Sequence, residues 1–299
     1  MSNPLAVPPS DIKRVVFLGT PEPSVVALRA LLDAGFDIPL VVSRPDRRRG
    51  RGSKLIPSPV KQAALDLGLS VSDDMADVVE VADGGIDAAV VVAYGRIIPV
   101  ALLEQVPMVN IHFSLLPRWR GAAPVERAIL AGDSETGVCL MEVAEGLDEG
   151  GVYARASTPI GENESAEDLR DRLAVLGAEL LVENLSRGLG EPEPQVGEIT
   201  YAAKIDRGES RLRFDRPAIE LQRTIRVGRA WAEFRGKRLG IESATVEPGS
   251  GKPGELQGLS VATADGLLGL VTVKPEGKRA MPAQDWANGL QLKPGESLV

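Results

Sequence analysis

The 299-residue chain holds a single histidine, His112. It stands in NIHFSLLPRWRG, residues 110–121, two places after Asn110. If this segment is a strand, residues two apart project from one face, so an amide and an imidazole converge there. Asp148 lies in the glycine-bearing turn AEGLDEGGVY (144–153), too far along the chain for anything but the fold to bring it to His112. A carboxylate beside an imidazole orients it and raises its basicity, and an amide N–H can donate to a developing oxyanion. Asn, His and Asp together suit acyl transfer to an amine without a covalent enzyme intermediate. A lone histidine serves equally well as a hydrogen-bonded core group, and the spacing alone leaves that alternative open. Cys139, among apolar residues in ETGVCLMEV (135–143), reads as an inert buried thiol.

Composition narrows the chemistry. One cysteine and one histidine exclude a disulfide framework and the usual zinc ligand sets, and no metal is expected. The first residues, MSNPLAVPPSDIKR, show no apolar stretch behind basic residues, and no run of about 18 apolar residues follows, so a cytoplasmic protein without membrane contact is expected. The net charge of −8 is unevenly spread. Residues 44–54, RPDRRRGRGSK, carry six Lys/Arg against one Asp, and residues 204–238 carry eleven Lys/Arg against five Asp/Glu. Two basic windows in an acidic chain can meet phosphates while the remainder repels polyanions, although solvated surface charge gives the same pattern.

The elements that must position these residues follow from hydropathy. RVVFLG (14–19), IPLVVS (38–43) and DAAVVVA (87–93) are β-branched runs without polar alternation, as in parallel strands covered on both faces. Between them, SVVALRALLDAG (24–35) and SPVKQAALDLG (58–68) read as helices closed by glycine. The alternation predicts an α/β fold, a doubly wound, mostly parallel, Rossmann-like sheet whose ligands sit outside the strand carboxyl ends. The turn GTPEPS after the first strand lacks the dinucleotide glycines, and no GxxxxGK[ST] occurs, which argues against NAD, FAD and P-loop chemistry. A helix is expected over 165–188 with Ser165 and Asp168 as a capping box. The catalytic domain is therefore placed at 12–188, a polar, proline-bearing linker at 189–203, and a small β-barrel, OB-like, at 204–299, after one helical pattern near 216–227.

The run NIHFSLLPRWRGAAPVERAILAGDSETGV, with GLDEGGVY, GTPE, SRPDRRRGRGSKLIPSPVK and AYGRIIP, resembles the folate-dependent formyltransferases, most closely those acting on initiator methionyl-tRNA. The resemblance is nearly unbroken from Arg14 to Tyr153 and thinner beyond. It implies formyl transfer from 10-formyltetrahydrofolate to the α-amino group of the tRNA-borne methionine, for translation initiation. It implies catalytic roles for Asn110, His112 and Asp148, and folate binding by Ser114, Leu115, Leu116 and Pro117. It assigns tRNA contact to Arg47, Arg48, Arg49, Arg51 and Lys54, with Arg51 at the family's key arginine, and tRNA binding to the C-terminal barrel. The partners expected are initiator methionyl-tRNA and the folate cosubstrate, with the protein acting as a monomer. After LQRTIRV the family carries an Asn-Pro turn, where this chain reads GRAWAEFRGKRLGIESA.

Overall fold

The computed structural model describes residues 5–48, 55–293 and 295–299. The chain gathers into two compact units. Unit 1 comprises Met1–Pro124, Glu135–Pro159 and Arg170–Ala202; unit 2 comprises Val125–Ser134, Ile160–Leu169 and Ala203–Val299.

Unit 1 is built on a seven-stranded sheet of β1 (Val15–Gly19), β2 (Val41–Val42), β3 (Val71–Ser72), β4 (Ala88–Val92), β5 (Met108–His112), β6 (Glu135–Glu142) and β7 (Val152–Pro159), in the order β7-β6-β5-β4-β1-β2-β3. From β3 to β5 every pairing is parallel, whereas β6 runs antiparallel to β5 and to β7. The strands expected at 14–19 and 87–93 are thus central and buried throughout. The one expected at 38–43 is shortened to two residues, because Pro39 has no N–H to give the ladder. Helices α1 (Glu22–Asp33), α2 (Pro59–Asp66), α3 (Ala76–Asp83) and α4 (Val100–Leu103) lie in the connections. Chain order reverses on either side of β1, which makes the carboxyl ends of β1 and β4 the switch point where this architecture opens a crevice.

After α5 (Pro124–Ala131), the long α6 (Ala166–Arg187) has the predicted cap, but not in its usual reciprocal form. The Asp168 N–H donates to Ser165 Oγ (3.1 Å), while the Asp168 carboxylate accepts from the serine hydroxyl (2.7 Å) rather than from a backbone N–H. Within unit 1, α6 buries Leu173, Ala174, Ala178, Leu181 and Leu185, a helical stripe. Gly177 lies on the same helix, and a Cβ there would come within 2.7 Å of Ile111 and 3.2 Å of Val138. The absent side chain lets the helix press against β5 immediately before His112.

Unit 2 holds α7 (Ala218–Val227), α8 (Ala283–Leu290) and an antiparallel sheet of β8 (Trp231–Phe234), β9 (Lys237–Glu247), β10 (Leu256–Gln257), β11 (Ser260–Ala262) and β12 (Leu267–Pro275), in the order β8-β9-β12-β11-β10, with β13 (Met281–Pro282) on β12. The last residues join the two edges. Val299 exchanges backbone hydrogen bonds with Glu233 of β8 (2.8 and 2.9 Å), and Leu256 N of β10 donates to Glu296 O (2.8 Å), so the sheet closes on itself as a barrel. Leu221 and Ile225 of α7, Ile241, Val261, Leu268 and Val273 fill it, with Trp286 edge-on to Phe234 at 5.1 Å between centroids.

Candidate active site

His112 ends β5 and is 5% exposed. Asn110, half-buried, points to the same side of the sheet, and its amide makes no hydrogen bond among the described residues. Across the ladder His112 stands opposite Cys139 of β6, whose thiol is pushed up in pKa by burial, against the lowering effects of the Leu116 N–H and of Arg155. That thiol is inert as a nucleophile.

The imidazole is held at both nitrogens. Nε2 lies 2.9 Å from the carbonyl oxygen of Trp119, and Nδ1 lies 3.5 Å from Asp148 Oδ2. A carbonyl only accepts, so Nε2 carries a hydrogen in this arrangement. Nδ1 then faces a carboxylate oxygen, and a proton placed between them is shared by two acceptors.

Asp148 reaches this position from a strained turn. Its backbone has φ 50°, in the left-handed region that Asp tolerates better than most residues. Gly150 lets the turn close on β6, since a Cβ there would meet the Glu142 carbonyl oxygen at 2.1 Å. The Gly121 N–H donates to Asp148 Oδ2 (2.7 Å), fixing the same oxygen that faces His112. Trp119, which supplies the carbonyl, has φ 65°, and its N–H donates to Thr200 Oγ1 (2.9 Å).

Residues 193–202, part of the stretch read from sequence as a linker, run as a strap along this site. Glu193 exchanges backbone hydrogen bonds with Val152 (2.8 and 2.9 Å), and Tyr201–Ala202 pairs in parallel with Arg120–Gly121. Gln195 and Thr200 therefore support the site although sequence reasoning assigned them nothing. Their neighbours have no hydrophobic period, and the one available signal was the density of hydrogen-bonding side chains following Pro192 and Pro194.

The segment expected at the folate is built inward. Ser114, Leu116 and Pro117 are buried and Leu115 is half-buried. The Ser114 hydroxyl donates to Arg118 O (2.5 Å), and Leu116 N–H donates to Cys139 Sγ (3.4 Å). Arg47 and Arg48 are exposed on one strand of a short antiparallel ribbon with Leu55–Ile56; Arg49, Arg51 and Lys54 lie outside the described residues. The base of the ribbon is tied by Asp46 to Lys61 (2.7 Å) and by the Ser43 and Ser58 hydroxyls (2.5 Å).

A parallel sheet with Asn, His and Asp at one carboxyl edge, followed by a closed antiparallel barrel, defines a two-unit acyl transferase. The formyl transferase family model matches residues 13–185, and that of the formyl transferase C-terminal domain matches residues 204–291. A methionyl-tRNA formyltransferase of Ruegeria pomeroyi is 44% identical over 95% of this chain and 100% of its own length, and one of Paracoccus denitrificans is 46% identical over 93% and 98%. The chain belongs to the methionyl-tRNA formyltransferase family. Among solved structures, an N-formyltransferase from Helicobacter canadensis shares the fold at a TM-score of 0.67 and 19% identity, covering 87% of this chain and 99% of that one. HypX from Aquifex aeolicus, solved with tetrahydrofolic acid, gives a TM-score of 0.65 at 20% identity over 95% of this chain and 48% of that one. No helix among the described residues is long and apolar enough to cross a membrane.

Proposed function

We propose that the chain transfers the formyl group of 10-formyltetrahydrofolate to the α-amino group of methionine esterified to initiator tRNA, as a cytoplasmic monomer. One observation carries this reading: a buried imidazole held between Asp148 and the Trp119 carbonyl, two residues along a strand from an amide that makes no hydrogen bond among the described residues. The neutral amine attacks the formyl carbon and forms a new C–N bond, and the carbonyl electron pair moves onto oxygen. Asn110 donates to that oxyanion, and an oxyanion donor of this kind is worth roughly 2.7–4 kcal/mol. The amine proton passes to the His112–Asp148 pair, where the resulting imidazolium charge also steadies the oxyanion. As the carbonyl re-forms, the bond to N10 breaks and the pair hands its proton to N10. The buried imidazole and the half-buried Asp148 carboxylate hold these charges largely away from water, which strengthens their action.

Ser114, Leu115, Leu116 and Pro117 shape the wall on which the folate lies, more by their fixed backbone than by their side chains. Arg47, Arg48, Arg49, Arg51 and Lys54 meet the acceptor stem, where arginines on a loop reach phosphates and base edges. Residues 204–299 add a second, electrostatic RNA surface, and residues 12–188 carry the chemistry. The test is a formylation assay offering charged initiator tRNA, free methionine and amino-sugar nucleotides in parallel. Formylation of the tRNA alone is expected; formylation of the amino-sugar nucleotide in its place overturns the reading.

A further inference from the structure

Gln195 sits in the strap 193–202, and its amide uses its full hydrogen-bonding capacity at the back of the site. Nε2 donates to the carbonyl oxygens of Asp148 (2.9 Å) and Gly150 (2.8 Å), and Oε1 accepts from Nε (3.0 Å) and Nη2 (2.8 Å) of Arg120. The partners fix which end is which: carbonyls only accept and a guanidinium only donates, so the amide cannot be turned over. Arg120 is 8% exposed, and its neighbour Gly121 gives its N–H to Asp148 Oδ2. The contacts therefore close a ring, from the Asp148 carboxylate to Gly121, through Arg120 to Gln195, and back to the Asp148 carbonyl. A left-handed aspartate is held only where its surroundings over-determine it, and here the ring does so.

We propose that Gln195 is a positioning residue, which keeps the Asp148 carboxylate at its distance from His112 by locking the 148–150 turn to Arg120. The proposal rests on the reading of His112 and Asp148 as the proton-handling pair. An amide that only supported the fold would also be buried and bonded, but its loss would not act through Asp148. The experiment compares full-length Gln195→Ala and the isosteric Gln195→Met, each alone and together with Asp148→Asn. In the wild-type background kcat falls about 10- to 100-fold while KM for donor and acceptor stays within about threefold, the effect of misplacing a group by an ångström or less. In the Asp148→Asn background the same change adds no more than about twofold, because the element it positions is already gone. A kcat loss that multiplies in full with that of Asp148→Asn, or one confined to KM, overturns the proposal.

Because His112 is the only imidazole, its Cε1–H resonance gives a readout independent of turnover. Gln195→Ala moves that resonance when Asp148 is present and leaves it unmoved when Asp148→Asn has been made. A resonance insensitive to Gln195 refutes the positioning role even if activity falls. If the wild-type chain fails to formylate methionyl-tRNA while the resonance moves, the functional reading fails and the positioning stands.

Discussion

His112 in unit 1 is 5% exposed with a partner at each ring nitrogen, whereas Arg238 in unit 2 is exposed with its guanidinium 4.7 Å above the ring of Trp231. Arg211, also exposed, lies 5.3 Å from the same ring. One region buries an imidazole and surrounds it with half-buried polar groups, most of them hydrogen-bonded. The other spreads cations on an aromatic platform and a closed barrel, where water and salt reach them. Proton transfer needs the first, because charges must be fixed and desolvated at the reacting atoms. Under the proposed function, docking a polyanion falls to the second, where counterion release would supply the affinity.

The basic window 204–238 offers fewer free cations than its composition suggests. Several are engaged within unit 2: Arg226 donates to the carbonyls of Glu164 and Gly161 (both 2.8 Å), Arg216 pairs with Glu220 (3.1 Å) and Arg235 with Glu296 (2.6 Å). Eleven basic residues therefore do not mean eleven phosphates bound.

The largest effect should come from the His112–Asp148 pair. Asp148→Asn, measured by single-turnover formyl transfer, is expected to lower the chemical step about 10²–10⁴-fold. Its melting curve should stay close to wild type; a collapse of unit 1 would place the residue with the fold instead. Next comes Trp286→Ala in the barrel, expected to cost about 3–5 kcal/mol of unit 2 stability. Amide exchange should lose protection in β8 to β12 and keep it in β1 and β4. Uniform loss across both units would erase the distinction between them.

Smaller effects follow at the surface. Arg211→Glu with Arg238→Glu should weaken tRNA binding and reduce the slope of log affinity against log salt by about 1 for each phosphate no longer neutralised, with folate binding unchanged. An unchanged slope would remove the second RNA surface from the account. The mildest concerns Tyr153, whose phenol is pushed up to about 12 by burial, with Glu142 adding to the rise. A group raised in the folded state lends stability that is complete below its unfolded pKa of about 10 and is lost as pH climbs toward 12. Tyr153→Phe should flatten that decline in urea midpoints compared at pH 9 and 11; an equal decline in both proteins would show that other groups govern it.

Much of the sheet was legible because its strands are continuous apolar runs, which physics permits only between two covering layers. The short strand at Val41–Val42 was overestimated because hydropathy does not register a missing proline N–H. Asn110 and His112 could be paired from their spacing, since a strand repeats every two residues. The approach of Asp148 could not be read from spacing, because it depends on a left-handed turn and on the Gly121 N–H. Gln195 and Thr200 were invisible for a related reason: hydrogen-bonding side chains in an aperiodic stretch carry no pattern until a strap finds its partners. The barrel's closure by residues 296–299 likewise depends on backbone pairing that no side chain announces.

The central claim is that the lone imidazole performs chemistry and not packing. Its direct test is His112→Ala, with single-turnover formyl transfer to methionyl-tRNA and equilibrium binding of the folate donor measured on the same preparation. The account predicts a loss of about 10²–10⁴-fold in transfer with donor affinity within about twofold of wild type. Transfer that persists, or donor binding that falls in step with transfer, would contradict it.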